Sequence, residues 1–351
     1  MRLELQEQLD FSDVLILPKR STLKSRKDVD ITRTFTFRHT GKTWTGTPII
    51  ASNMLTGTFA MAHALSKYNM MTALHKHYST YDLIQFFSET DKNIVNNTWY
   101  SMGIVENDFD KLYRVIRDCD YKIEKILCEC ANGYTDEYVK SIRKLRSLYP
   151  DLVIMAGNVV TGEMAAELIL AGADVVRCGI GGGQMCLTRR IAGVGRPQLS
   201  TVIDTADAVH GLKGQICSDG GCAQPADVNI AICGGSDFIM LGTFFSGTDE
   251  CVGGVEEIDG KKYKKFFGMS SNSAMEEFYG GRASYKASEG RTTMVPYRGS
   301  VEPIAEELCG AIRSMCTYVG AEKLKEATKR ATLIKVNNRL NTTYEKYTIG
   351  N

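Results

Sequence analysis

Short apolar, β-branched runs recur along the chain, each closed by Gly, Asn or a charged residue and followed by a stretch of helical spacing. In order they are Pro48-Ile-Ile-Ala-Ser, Met70-Met-Thr-Ala-Leu, Trp99-Tyr-Ser-Met-Gly, Lys125-Ile-Leu-Cys-Glu, Leu152-Val-Ile-Met-Ala-Gly, Asp174-Val-Val-Arg-Cys-Gly, Gln215-Ile-Cys-Ser-Asp-Gly and Asp237-Phe-Ile-Met-Leu-Gly. Near-continuous apolar runs of this length are what strands covered on both faces require. Between them the period changes. Thr161-Gly-Glu-Met-Ala-Ala-Glu-Leu-Ile-Leu-Ala-Gly carries a capping Thr, an early Glu, apolar helical spacing and a Gly stop. Pro225 opens another first turn, where its missing N–H costs nothing. Asp136 to Leu148 alternates an apolar face with Lys and Arg, the pattern of an outer amphipathic helix.

Eight strand–helix units in series predict an α/β fold, a (β/α)8 TIM barrel rather than a doubly wound sheet, because no phosphate fingerprint opens the first unit. Residues 1–46 precede the first strand as an N-terminal extension. Residues 244–299 form a long insertion after strand eight, charge-rich and Gly-rich and too long for an ordinary loop. Ser300 then reads as the N-cap of a helix through about Met315. Residues 1–351 are read as one barrel catalytic domain.

The 351 residues suffice for a full core without staples. With 42 Lys+Arg against 41 Asp+Glu, the chain lacks the charge imbalance that phosphate tracking needs, so no nucleic-acid partner is expected. The longest apolar runs, such as Leu152 to Ala156, fall far short of the ~20 residues of a membrane helix. The first residues mix acids into the place where a signal peptide would be apolar. Eleven Cys without CxxC pairs read as reduced thiols, and a cytoplasmic location is expected.

In such a barrel, chemistry sits on the loops after the strands' C-terminal ends. After strand six comes Gly179-Ile-Gly-Gly-Gly-Gln-Met-Cys-Leu-Thr-Arg-Arg190, a glycine run presenting Cys186 and Thr188. A thiol is an intrinsically strong nucleophile, yet Cys186 taken alone, beside ten other Cys, reads as an ordinary buried thiol rather than a catalytic one. After strands seven and eight come Ser218-Asp-Gly-Gly-Cys222 and Leu241-Gly-Thr-Phe244, the two loops where barrels commonly hold a phosphate through backbone N–H groups. Asp219 would repel a phosphate and suits ribose hydroxyls. Within the insertion, Phe267-Gly-Met-Ser-Ser271 and Tyr285-Lys-Ala-Ser-Glu-Gly290 add accessible backbone and Glu289. His75 and His77, at i and i+2 on an extended segment, are expected on opposite faces, which rejects a shared zinc. Lys261-Lys-Tyr-Lys-Lys265 and Lys323 to Arg330 are read as solvated faces.

Taken together these motifs resemble a known family. Phe11-Ser-Asp-Val-Leu-Ile, Lys19-Arg-Ser-Thr-Leu-Lys-Ser-Arg26, His75-Lys-His-Tyr78, Ala131-Asn-Gly-Tyr134, Ala156-Gly-Asn-Val-Val-Thr-Gly-Glu163, Ser218-Asp-Gly-Gly-Cys222, Gly268-Met-Ser270, Ala287-Ser-Glu-Gly290 and Cys316-Thr-Tyr-Val-Gly320 are similar to GMP reductase, collinearly over about residues 10–335. The related IMP dehydrogenases normally carry a long regulatory insert after strand two. Only a short stretch follows His77 here, which favours the reductase branch.

The resemblance implies reduction of GMP by NADPH to IMP with loss of ammonia. Cys186 is the implied nucleophile, forming a thioimidate, and Thr188 with Glu289 the implied proton-handling pair. The implied substrate contacts are Ser218, Asp219, Gly220, Gly221, Gly242, Thr243, Gly268, Met269, Ser270, Lys286, Ala287, Ser288 and Gly290. The implied dinucleotide contacts are Lys76, Glu129, Cys130, Ala131, Ile180, Gly181, Met269, Tyr285, Lys286, Ser314 and Thr317, joined by Ser25 and Arg26 from a neighbouring subunit. The resemblance further implies a potassium ion on the carbonyls of Gly181, Gly183 and Cys186, and a homotetramer. Several positions depart from the family pattern. Gly182 replaces a Pro, Leu187 a Thr, Glu129 an Asp and Thr243 a Gly, while Ser52-Asn-Met-Leu-Thr-Gly is one residue short and lacks an Asp. These departures keep open the same chemistry on a modified or deoxy purine nucleotide, IMP oxidation, or a non-catalytic nucleotide-binding paralogue.

Overall fold

The computed structural model describes residues 3–119, 123–130, 132–281 and 287–337, the Tyr279 side chain excepted. Eight parallel strands close into a barrel in chain order: Ile49–Ala51, Met71–Ala73, Thr98–Met102, Lys125–Glu129, Val153–Val159, Val175–Cys178, Gln215–Asp219 and Phe238–Leu241. Each coincides with a predicted run. The alternation of the pleat explains why the runs are apolar throughout. Ile50, Met71, Trp99, Leu127, Met155, Val175, Cys217 and Phe238 fill the interior, while Ile49, Tyr100, Ile126, Ile154, Val176, Ile216 and Ile239 meet the surrounding helices.

The N-terminal extension is part of that interior. Strands Arg33–Thr36 and Thr43–Gly46 form an antiparallel hairpin whose Phe35 and Trp44 lie in the barrel cluster. Phe35 packs on Phe238 with ring centroids 4.3 Å apart, and Trp44 Nε1 donates to Asn97 Oδ1 at 2.8 Å. The hairpin plugs one end of the barrel and leaves the strands' C-terminal end for chemistry.

The insertion folds as a three-stranded antiparallel sheet, Val255–Ile258, Lys261–Phe267 and Thr292–Pro296, with a helix Asn272–Tyr279. The basic run in its central strand is only partly a solvated face. Lys264 is buried, and its Nζ donates to the carbonyls of Thr248 and Cys251, pinning the sheet to the loop after strand eight. The helix Leu324–Arg330 likewise buries Leu324 and Ala327.

Two capping expectations change in detail. Helix Gly162–Ala171 ends at Gly172, as its Gly stop predicts, yet its first N–H is met by the Asp204 carboxylate at 3.0 Å rather than by Thr161. The helix expected from Ser300 to about Met315 spans Glu302–Val319. The Ser300 hydroxyl accepts from Glu302 N at 3.2 Å while Glu250 accepts from Val301 N at 2.9 Å.

The His75–His77 segment differs from expectation. It is a turn beyond strand two, so the two rings lie 6.1 Å apart instead of on opposite faces. Each stacks on a different aromatic, His75 on Tyr78 at 4.0 Å and His77 on Phe278 of the insertion helix at 3.9 Å.

Candidate active site

After strand six, Gly179 turns the chain at φ 140°, where an added Cβ would lie 2.1 Å from the Asp219 carbonyl oxygen. Only glycine fits this approach. The loop then doubles back, with Cys186 N donating to Gly183 O at 3.0 Å. It zips onto two insertion segments. Cys186 bridges to Gly290, Leu187 N donates to Glu289 O at 2.6 Å, Arg291 N to Met185 O at 2.9 Å, and Gly268 N to Arg291 O at 2.9 Å. An added Cβ at Gly290 would come within 2.6 Å of Ser271 N, so this crossing also needs glycine. Sequence positions 185–188, 268–271 and 289–291 thereby become one surface.

On that surface the three implied catalytic residues line up. The Cys186 thiol donates to Thr188 Oγ1 at 3.3 Å, and the Thr188 hydroxyl donates to Glu289 Oε2 at 2.6 Å. All three are half-buried. A continuous donor–acceptor chain thus runs from sulfur to carboxylate. All eleven cysteines are free thiols. The strand cysteines are poor nucleophiles, because burial pushes the Cys178 thiol up to about 12 and Cys217 well above the ordinary range.

The expected phosphate and ribose loops sit against the Cys186 loop. An added Cβ at Gly220 would lie 3.0 Å from Gly183 N, and one at Gly182 would lie 3.5 Å from Gly221 N. Gly182 therefore faces the strand-seven loop directly. Ser218 is fully buried. Its hydroxyl accepts from Gln198 Nε2 at 3.2 Å, and the same nitrogen donates to Cys178 O at 2.9 Å. Gly242 packs beside Met54 and Ser52, and Thr243 starts a short 3-10 turn through Phe245. Met269 is half-buried, Ser270 and Ala287 are exposed, and the Ser288 hydroxyl donates to Gly290 O at 3.4 Å.

A band of charge crosses the mouth. Lys76 Nζ lies 3.2 Å from Glu129 Oε1, Asn53 Nδ2 donates to Glu129 Oε2 at 2.5 Å, and Arg177 Nη1 donates to Asn53 Oδ1 at 3.0 Å. Arg177 Nε then reaches Asp219 Oδ2 at 2.9 Å, an oxygen that also accepts from Asn158 Nδ2 at 2.8 Å. Burial alone would raise the Glu129 carboxyl, but Lys76 and Arg177 outweigh it and hold it below the ordinary range. Glu129 is thus an anion at neutral pH.

The remaining residues expected at the dinucleotide divide. Cys130, Ile180 and Gly181 lie on the loops of the mouth. Ser25 and Arg26 instead pack with the short turn Arg26–Asp28 against helix Glu302–Val319, which carries Ser314 and Thr317 on the outer wall. Tyr285, Lys286 and Ala131 lie outside the described residues. The carbonyls of Gly181, Gly183 and Cys186 belong to one loop, that of Gly183 already accepting from Cys186 N. Among the described residues, no group of three or more His, Cys, Asp or Glu is placed to hold a metal ion.

Sequence reasoning missed Asn53, Asn158, Arg177 and Gln198. The signal for Arg177 was present as one charge inside the apolar run Val175-Val-Arg-Cys178. Burial of a charge demands partners, so such a residue marks a network.

Comparison with known proteins agrees with this fold. The model of the IMP dehydrogenase / GMP reductase domain matches residues 8–342. GMP reductase of Aliivibrio salmonicida (strain LFI1238) is 52% identical over 347 residues, spanning 99% of this chain and 100% of that protein. GMP reductase of Ascaris suum is 50% identical over 351 residues, spanning 99% and 98%. The crystal structure of a cysteine-to-alanine variant of GMP reductase from Trypanosoma brucei, in complex with guanosine 5'-monophosphate, superposes with a TM-score of 0.84 at 22% identity, covering 95% of this chain and 96% of that one, a likeness of fold. On this match of nearly its whole length, the chain belongs to the IMP dehydrogenase / GMP reductase family.

Proposed function

We propose that this enzyme reduces GMP to IMP and ammonia with NADPH, and that the observation carrying this reading is the Cys186–Thr188–Glu289 chain of hydrogen bonds. Cys186 sulfur forms a bond to the purine carbon bearing the amino group. Its proton passes through Thr188 to Glu289, and returns by the same path to the amine, which leaves as ammonia when the carbon–nitrogen bond breaks. An amine leaves poorly unless protonated, and a positioned acid contributes ~10²–10⁴-fold. The thioimidate splits one hard displacement into two easier steps. Hydride arrival at the same carbon expels the Cys186 thiolate and gives IMP, and the thiolate takes one proton from solvent to restore the thiol, so atoms and charge balance.

The chain's residues suit the two ligands. Asp219 keeps Oδ1 for ribose hydroxyls while Oδ2 is held by Asn158 and Arg177. The glycine N–H groups of the strand-seven loop suit a phosphate. Glu129 retains lone pairs beyond those taken by Lys76 and Asn53, which fits the hydroxyls of a dinucleotide ribose. Bound there, NADPH supplies the hydride. The carbonyls of Gly181, Gly183 and Cys186 would hold a potassium ion, which would supply positive charge to the loop. The position of Ser25 and Arg26 on the outer wall, against helix Glu302–Val319, supports a homotetramer in which one subunit completes the dinucleotide site of another. No described helix is long and apolar enough to cross a membrane, and the free thiols suit the cytoplasm.

The test is purified, reduced protein in potassium buffer with GMP and NADPH. Loss of NADPH absorbance with stoichiometric IMP and ammonia is the expected result. A flat trace rejects GMP as substrate, and XMP formation from IMP and NAD would make the enzyme a dehydrogenase.

A further inference from the structure

Two carboxylates face the mouth of the barrel from different strands, and one cation joins them. Glu129 ends strand four and Asp219 ends strand seven. Register places Glu129 beside Gly157 of strand five, and Gly157 beside Arg177 of strand six. Gly157 has no side chain, and an added Cβ would come within 2.8 Å of Arg177 Cβ. The Arg177 side chain therefore has room to lean across strand five. Its Nε holds Asp219 at 2.9 Å, while its Nη1 holds Asn53 Oδ1 at 3.0 Å and lies 4.0 Å from Glu129 Oε2. Asn53 completes the link by donating to that same Glu129 oxygen. The Arg177 side chain is 12% exposed, so solvent screens these contacts little.

We propose that Arg177 is a positioning residue that couples the two ligand sites, so that a purine nucleotide held at Asp219 raises affinity for a dinucleotide held at Glu129, and the reverse. This rests on the reading of those carboxylates as ribose acceptors given above. A ligand that orders one carboxylate fixes the planar guanidinium, and the guanidinium then presents the other carboxylate already oriented. Linkage makes the effect reciprocal. The role needs the fork of an arginine. A lysine ammonium is a single point that cannot hold Asp219 and Asn53 in two fixed directions at once.

Calorimetric titration of GMP, with and without saturating NADP+, reads the coupling without turnover. In the natural enzyme, NADP+ is expected to tighten GMP binding by about 5-fold or more, within the range usual for coupled sites. In Arg177→Lys that factor falls to about 1, a change that a merely structural role would not produce, since loss of scaffold shifts each single-ligand affinity or the melting temperature instead. Asn53→Ala, which leaves the Arg177–Asp219 contact in place, guards against misfolding of the first variant. It should bind GMP alone as the natural enzyme does and lose the coupling. Independent binding of the two ligands by the natural enzyme, or coupling that persists in both variants, overturns the inference about Arg177 alone. Failure of the natural enzyme to bind GMP at all is a distinct result that overturns the functional reading, and this inference with it.

Discussion

Thr188 and Glu289, 101 residues apart in sequence, share a hydrogen bond of 2.6 Å in which the threonine hydroxyl donates. Because that hydroxyl also accepts from the Cys186 thiol, Thr188 is the one relay between nucleophile and carboxylate in the chain of bonds described. Thr188→Val keeps the shape and removes the relay. Its turnover number is expected to fall ~10²–10⁴-fold, the scale of acid–base assistance, with GMP affinity little changed. Thr188→Ser should recover most of the loss. Steady-state kinetics of the pair check this.

Glu289→Gln retains the packing but cannot store the thiol proton. Ammonia release is expected to slow by a similar factor, read by an ammonia-coupled assay after rapid mixing. A normal burst of ammonia in this variant would place the proton elsewhere.

Gly179 holds a positive φ and touches the Asp219 carbonyl. Gly179→Ala forces strand seven's last residue away and strains the backbone, at about 1–3 kcal/mol. Denaturant melts should show the lost stability, and the GMP affinity should fall because Asp219 moves with its carbonyl.

Burial, together with neighbouring positive charge, lowers His75 and His77 to about 4 from an ordinary 6.5. The folded protein keeps both rings neutral, while the unfolded chain takes up protons below about 6.5. Stability is therefore complete above pH 6.5 and is lost as pH falls from there towards 4. Melting temperature measured across this window should drop steadily, and less steeply in His77→Gln. An unchanged slope would mean that the His77–Phe278 stack leaves the ring free to protonate.

Most of the barrel could be read in the sequence because each strand is buried on both faces, so its whole length is apolar and its glycine or acidic end marks the functional loop. Cys186, Thr188 and Glu289 could be named as well, although only resemblance joined residues so distant. The plug formed by Phe35 and Trp44 was not legible. A short hairpin alternates polar and apolar residues whatever it covers, and its partner Phe238 is two hundred residues away. Arg177 was hidden for a related reason, since its worth depends on Asn53 and Asp219, which meet it only when the barrel closes. Lys264 sits in a run that reads as solvated, and burial is decided by two carbonyls of another loop.

The central claim is that the Cys186 sulfur bonds to the purine before reduction. Protein mixed with GMP and quenched within a turnover should show, by intact mass and peptide mapping, a Cys186 adduct equal to GMP less ammonia, absent in Cys186→Ala, which should still bind GMP. Full turnover by Cys186→Ala, or by enzyme with that thiol alkylated, would contradict it.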